Sequence, residues 1–249
     1  MIGDGPPGPD TRLMVFGAHA ADWCFRAGGT ATRYRQAGAQ VKVVCATFGE
    51  RGESAPQWAN PEATVESVKA IRRAESQRAA DILGVEIEFL DLDDNPLVID
   101  AQRMQLYVDR IRDFRPDIIL THWNYEPTNR DHQTVSETVV RATSLARVAA
   151  VQAREGGIGR ARIFLFEPDV MAQPILGFAP DTYIDITPVW DLKIEALECY
   201  RPTQPGLLER WPERGQLRGV EARAIGGMPG CQYAEAFRRF QPYAGEYFV

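Results

Sequence analysis

Histidine is scarce in this chain: His19, His122 and His132 are the only three in 249 residues. Cysteine is scarce as well. The four present, Cys24, Cys45, Cys199 and Cys231, have no paired spacing, which speaks against a disulfide framework and suits a reducing compartment. A cytoplasmic location is therefore expected. No apolar run approaches the length of a membrane span, so no membrane partner is expected. A net charge of −6 without a long basic run argues against nucleic acid, although an anionic small molecule needs only a local cluster of arginines. Residues 1–10 are rich in Gly and Pro and lack the basic start and apolar core of a signal peptide. They read as a flexible N-terminal extension ahead of a single domain over residues 11–249. Internal repeats and low-complexity tracts are absent too.

What is present is a regular alternation of short apolar runs and amphipathic stretches, the pattern of βαβ units. Strands are expected at residues 12–18, Val41–Thr47, Glu86–Leu90, Asp117–Thr121 and Arg162–Glu167. Between them lie a helix that contains Gly28-Gly29 and runs to about Gln36, and a long loop over residues 48–63. Helices Glu66–Leu83 and Ala101–Phe114 follow, then a helix capped by Asp131 and running to about Arg154. Beyond Pro168 the pattern predicts a strand near Tyr183–Ile186, a helix from Val189 to Tyr200, and helical segments around Leu217–Ile225 and Tyr233–Phe240. The fold class is thus α/β: a Rossmann-like, doubly wound, mostly parallel sheet with helices on both faces. Right-handed crossovers give a strand order such as 3-2-1-4-5, with strands 1 and 4 neighbours at the switch point.

That order brings the histidine motifs together. His19-Ala20-Ala21-Asp22 follows the first strand and Asp131-His132 follows the fourth, so His19, Asp22 and His132 converge on one crevice. Two imidazoles and a carboxylate with open positions left over suit a catalytic metal such as zinc, with another divalent ion as the alternative. The second strand delivers the loop Phe48-Gly49-Glu50-Arg51-Gly52-Glu53-Ser54 to the same rim, where Glu50 is the first acid or base to consider. Asp131 either orients a metal ligand or caps its helix. Asp169 is a weaker candidate for the rim. Trp123, Tyr125 and Trp190 either line the crevice or cover the core, and Cys24 and Cys45 read as small buried hydrophobes.

Ala18-His19-x-x-Asp22, Gly28-Gly29-Thr30, the run Arg72-x-x-Glu75-x-x-x-Ala79-x-x-x-Leu83-Gly84 and the later Asp131-His132 together resemble the LmbE/PIG-L superfamily of zinc-dependent N-deacetylases. The resemblance implies zinc on His19, Asp22 and His132. It also exposes two departures. The deacetylases usually read His-Pro-Asp-Asp in the first motif, and the position of the general base is Ala21 here. The later motif usually reads His-Pro-Asp-His, and here it is Asn129-Arg130-Asp131-His132, which leaves His122 as the other histidine to approach from a strand end. A methyl group accepts no proton, so the chain is either an inert scaffold or the catalyst of a different reaction.

A hydratase branch of the superfamily resembles the chain over nearly its whole length. The carrying segments are Ala18-His19-Ala20-Ala21-Asp22-Trp23, Cys45 to Ser54, Phe166-Glu167-Pro168 and Asp185-Ile186-Thr187-Pro188-Val189-Trp190. They look like the 4-oxalomesaconate hydratases of gallate and protocatechuate breakdown, which add water to a C=C bond of an unsaturated tricarboxylate. This resemblance implies a Lewis acid for the substrate's keto or enol oxygen, arginines for its carboxylates, and a group that moves protons. Arg51, Arg72 and Arg130 are the candidates for the second task and Glu50 for the third. The alternative is an N-deacetylase of an acetylated sugar or amine with a rearranged base. The expected partner is a small polycarboxylate, and a homo-oligomer is expected.

Overall fold

The computed structural model of the protein describes residues 6–148, 159–169, 173–242 and 244. Strand β1 (Arg12–Gly17) leads into helix α1 (Asp22–Gln36), and β2 (Gln40–Cys45) leads through a long loop into α2 (Val65–Leu83). Next come β3 (Glu86–Phe89), α3 (Ala101–Phe114), β4 (Ile118–His122), α4 (Arg130–Ala146) and β5 (Arg162–Phe166). The remainder comprises α5 (Gln173–Leu176), β6 (Thr182–Asp185), α6 (Trp190–Glu198), α7 (Pro205–Leu208), α8 (Trp211–Ala224) and β7 (Ala234–Arg239).

Local chemistry sets the boundaries. Thr64 and Ser67 cap α2 reciprocally through side chain and backbone, and Gly84 ends it in the left-handed region at φ 69°. Asp100 caps α3 by accepting from the Arg103 N–H at 2.8 Å. Leu13–Phe16 of β1 are all apolar because both faces of the strand are covered there. Its Leu13 and Val15 pack with Trp23, Phe25, Val43, Leu83 and Tyr200. Its Met14 and Phe16 point the other way, toward Tyr107, Ile111, Ile119, Val135 and Val139.

The sheet order is β3-β2-β1-β4-β5-β7-β6. The first five strands are parallel in the expected 3-2-1-4-5 order, and β1 and β4 are neighbours, with Leu13 opposite Ile118. Two corrections concern local elements. Tyr233–Phe240 is not helical: β7 slots antiparallel between β5 and β6, so its backbone pairs on both sides, and that tertiary pairing overrides a helix-compatible sequence. Nor is Asp131 a helix cap. Asn129 holds that position and Asp131 lies in the first turn of α4. The helix that begins there reaches Ala146, and part of the stretch expected up to Arg154 lies outside the described residues, as does part of the N-terminal extension.

Candidate active site

β1 and β4 pair only as far as Val15 and Leu120, and their carboxyl ends lie at the switch point, the position where open α/β sheets bind ligands. The turn after β1 presents His19, and Asp22 opens α1. Asp22 Oδ2 accepts the His19 N–H at 2.7 Å, which fixes the turn. From the first turn of α4 comes His132, and from the loop after β2 comes Glu53. That loop is laced to the first turn, since Thr47 donates its backbone N–H and its hydroxyl to Ala18 O, each at 2.9 Å. Gly49 lies against His19 at φ 71°, where an added Cβ would stand 3.0 Å from His19 Cβ; both facts favour glycine there.

Four side chains meet at one point. His19 Nδ1 is 3.2 Å from His132 Nε2, 3.3 Å from Asp22 Oδ2 and 3.0 Å from Glu53 Oε1. His132 Nε2 is 3.3 Å from Asp22 Oδ1 and 3.6 Å from Glu53 Oε1. Ligand atoms at about 2.0–2.1 Å from a tetrahedral zinc ion stand about 3.3 Å apart, so these separations are the edges such an ion requires. The outer nitrogens are held as metal-binding imidazoles usually are. Glu126 Oε2 takes His132 Nδ1 at 2.9 Å, and Asp131 Oδ2 lies 3.5 Å from His19 Nε2. Asp131 is itself pinned by the backbone N–H groups of Asn95 and Leu97, both at 2.8 Å. The residues present therefore fit a divalent cation.

The electrostatics agree. Burial opposes charge on His132, but Asp22 and Glu126 outweigh it and lift its pKa to about 10. His19 also rises well above the ordinary imidazole value: burial opposes, while Glu53 and hydrogen bonds to Asp131, Asp22 and Glu53 prevail. In the same way burial alone would raise Asp22, yet His132, Arg26 and His122 hold it well below the carboxylate range. Glu126 is held at about 2 against its own burial, chiefly by His132. Glu53 is lowered despite burial by His19 above all. Without a cation, the carboxylates are balanced by protons on the two imidazoles, which a metal displaces.

The structure brings His19, Asp22 and His132 together, with Asp131 behind His19. His122 lies beneath, its ring stacked on His132 at 4.0 Å and its Nε2 accepting the Ala18 N–H at 2.9 Å. Burial, with His132 adding, pushes its pKa down to about 3, so its ring lies neutral beneath His132. Glu50 is turned away from the cluster. Its carboxylate takes the Phe48 N–H at 3.2 Å and stands 3.5 Å from Lys69 Nζ; burial, with Asp94 adding, raises its pKa. Arg72 is fully buried and donates to Phe48 O, Glu75 and Gln204, so it does not face a substrate. Arg51 is 40% exposed beside Glu50, Asp93 and Asp94. Arg130 is exposed at the head of α4. Asp169 gives its backbone N–H to Glu126 Oε1 at 3.0 Å. Trp123 packs edge-on against Phe178, Tyr125 is exposed, and Trp190 stacks on Tyr233, all apart from the cluster's contacts.

Sequence reasoning missed Glu53, Glu126 and Arg26. Glu53 sits three residues beyond Glu50 in the same loop, and only the loop's path decides which of the two reaches the histidines. Arg26 had a usable signal, because it stands one helical turn after Asp22 and donates to Asp22 Oδ1 at 2.7 Å. Glu126 lies in irregular backbone and has no pattern to betray it.

A doubly wound sheet with imidazoles and carboxylates gathered at its switch point defines a metal-site α/β enzyme scaffold. More particularly, the chain belongs to the PIG-L family, whose profile, described as GlcNAc-PI de-N-acetylase, matches residues 14–143. It is 34% identical over 241 residues to a 4-oxalmesaconate hydratase of Pseudomonas putida, covering 96% of this chain and 92% of that protein. In structure it is similar to GalB, the 4-carboxy-2-hydroxymuconate hydratase of that species, with a TM-score of 0.90 over 96% of this chain and 100% of that one, at 34% identity. An N,N'-diacetylchitobiose deacetylase of Pyrococcus horikoshii shares the fold, with a TM-score of 0.75 at 21% identity over 92% of this chain and 84% of its own.

Proposed function

We propose that the protein is a zinc-dependent hydro-lyase that adds water to a C=C bond of 4-oxalomesaconate. The product is 4-carboxy-4-hydroxy-2-oxoadipate, in the breakdown of gallate and protocatechuate. The observation that carries this reading is Ala21. It is buried beside the metal-site residues, where the deacetylases usually carry their general base, while the His and carboxylate set around it is complete. A metal site kept without the amide-cleaving base suits a reaction in which water adds to an activated double bond. Similarity to the two hydratases over 96% of the chain supports the same choice.

His19, Asp22 and His132 would hold the ion, with Glu53 in reach. Bound there, zinc supplies a Lewis acid for the keto or enol oxygen conjugated to the double bond. Glu53 is the more exposed of the two carboxylates in the four-residue cluster, at 16% against 2% for Asp22. It takes the proton from the attacking water and returns it to the neighbouring carbon, the task first assigned to Glu50. Arg130, exposed and two residues before His132, takes a substrate carboxylate, and Arg51 a second. We place the enzyme in the cytoplasm, in keeping with four free cysteines.

The test is the ultraviolet absorbance of 4-oxalomesaconate, which falls as hydration destroys the conjugation. Loss that stops on chelation and returns with zinc is the expected result. No loss with zinc fully bound would overturn the reading. The family profile favours a second one, an N-deacetylase, which acetate release from N-acetyl sugars would detect.

A further inference from the structure

The loop and short helix after α6 carry a group that reaches the metal-site residues from far along the chain. Gln204 stands just before α7, half-buried, between two fixed partners. Its Nε2 donates to Glu53 Oε2 at 3.1 Å, and its Oε1 accepts from Arg72 at 3.2 Å. The amide orientation is dictated by chemistry, because arginine only donates and an ionised carboxylate only accepts.

Arg72 cannot turn away to suit Gln204. It is fully buried, with Nε on Phe48 O at 3.0 Å and another nitrogen on Glu75 Oε2 at 3.0 Å. Glu75 in turn takes the Thr203 hydroxyl through Oε1. The backbone is anchored too, since the Gln204 N–H donates to Tyr200 O at 2.8 Å, and Tyr200 reaches Ala20 O through its hydroxyl at 3.1 Å. Residues 200–204 thus touch both the turn that presents His19 and the carboxylate of Glu53.

We propose that Gln204 is a positioning residue for Glu53: it occupies Oε2 so that Oε1 faces His19 and His132. Oε1 is the atom 3.0 Å from His19 Nδ1, and it also accepts from Asn129 Nδ2 at 3.3 Å, a nitrogen that lies 3.0 Å from His132 Nε2. The fixed Arg72 sets the amide, the amide sets the carboxylate, and the carboxylate keeps its charge beside the cation site. Residue 204 lies beyond the span that the family profile matches. The inference rests on the metal-site reading but not on which reaction the enzyme performs.

Zinc affinity, read by competition with a chelating dye, tests it without any substrate. Gln204→Met removes both hydrogen bonds and frees the carboxylate beside the site, and affinity is expected to fall about tenfold, the low end of the cost of disturbing a metal site's outer partners. Gln204→Glu separates positioning from simple anchorage. Glutamate still accepts from Arg72, so a purely structural role predicts near-normal zinc binding and an unchanged melting temperature. Positioning predicts a larger loss than Gln204→Met, because a carboxylate then faces Glu53. Pairing Gln204→Glu with Glu53→Gln swaps acceptor and donor, and the added loss should vanish relative to Glu53→Gln alone. The proposal is overturned if Gln204→Glu binds zinc as tightly as Gln204→Met or the native protein, or if its loss persists in the Glu53→Gln background.

Discussion

Two groups of buried charges in this fold are assembled from segments far apart in the chain and end in opposite states. Beside α1, the Glu235 carboxylate from β7 receives Lys193 of α6 together with the backbone N–H groups of Gly29 at 2.9 Å and Thr30 at 2.7 Å. Lys193 also donates to Phe25 O at 2.8 Å. One cation meets one anion, and the backbone completes the set. At the rim of β1 and β4, Asp22, Glu53, Glu126 and Asp131 surround His19 and His132, with Arg26 donating to Asp22. There the inner atoms of His19, Asp22, Glu53 and His132 face a common centre. A structural ion pair satisfies itself, whereas a cation site leaves acceptors in excess until a cation arrives.

The largest expected effect strikes the unsatisfied group. His132→Ala removes one ligand nitrogen, and since disturbing outer partners already costs 10–100-fold, turnover should drop by more than about 100-fold. The purified variant should lose its zinc on dialysis while its circular dichroism stays native. Zinc retained at one equivalent would remove His132 from the ligand set. At the satisfied group the damage falls on stability instead. Glu235→Ala strands a buried Lys193 and should cost about 3–5 kcal/mol in urea unfolding, with zinc affinity of the folded protein unchanged. Lys193→Met combined with Glu235→Gln should recover most of that loss. If Glu235→Ala unfolds like the native protein, the contrast between the two regions fails.

Proton linkage sharpens the same contrast. His132 at about 10 and His19 well above its ordinary value contribute stability that is fully present below the unfolded imidazole pKa of 6.5. In the metal-free protein that stability is lost as pH rises toward about 10. On the proposed reading zinc would displace the same two protons, so its apparent affinity should climb by about 100-fold per pH unit while both imidazoles remain charged. Urea unfolding of the metal-free protein across pH 6–10 and calorimetric counting of protons released at pH 7 are the measurements. Release of no protons on zinc binding would contradict the charged imidazoles.

How much of this was legible follows from what kind of interaction places each residue. The parallel strands β1 to β5 and the convergence of His19, Asp22 and His132 rest on local pattern and on crossover handedness, which a single sequence displays. Strand β7 rests on pairing with β5 and β6, which no local window contains, and Tyr233–Phe240 accordingly read as helix. Glu50 and Glu53 are both acidic residues of one glycine-bearing loop. The choice between them is made by Gly49 folding against His19 and by Gln204, about 150 positions further along, neither of which shows in the spacing. Arg72 looked like a substrate anchor because its type suits a carboxylate, and only the structure reveals that Phe48, Glu75 and Gln204 already claim it.

The smallest effect in the series concerns Arg130, and it turns the same comparison on arginines. Arg72 has its partners at home, whereas Arg130 is exposed with no hydrogen bond or ion pair among the described residues. An arginine of the first kind holds the fold; one of the second kind is available to a ligand. Arg130→Ala should therefore leave zinc content and melting temperature unchanged and raise KM about tenfold with kcat nearly constant, the signature of lost uniform binding. Solvent around the guanidinium keeps the effect near that modest size. Steady-state hydration kinetics decide it: a fall in kcat at unchanged KM would move Arg130 from holding the ground state to stabilising the transition state, and no change in either would leave the substrate carboxylates to Arg51.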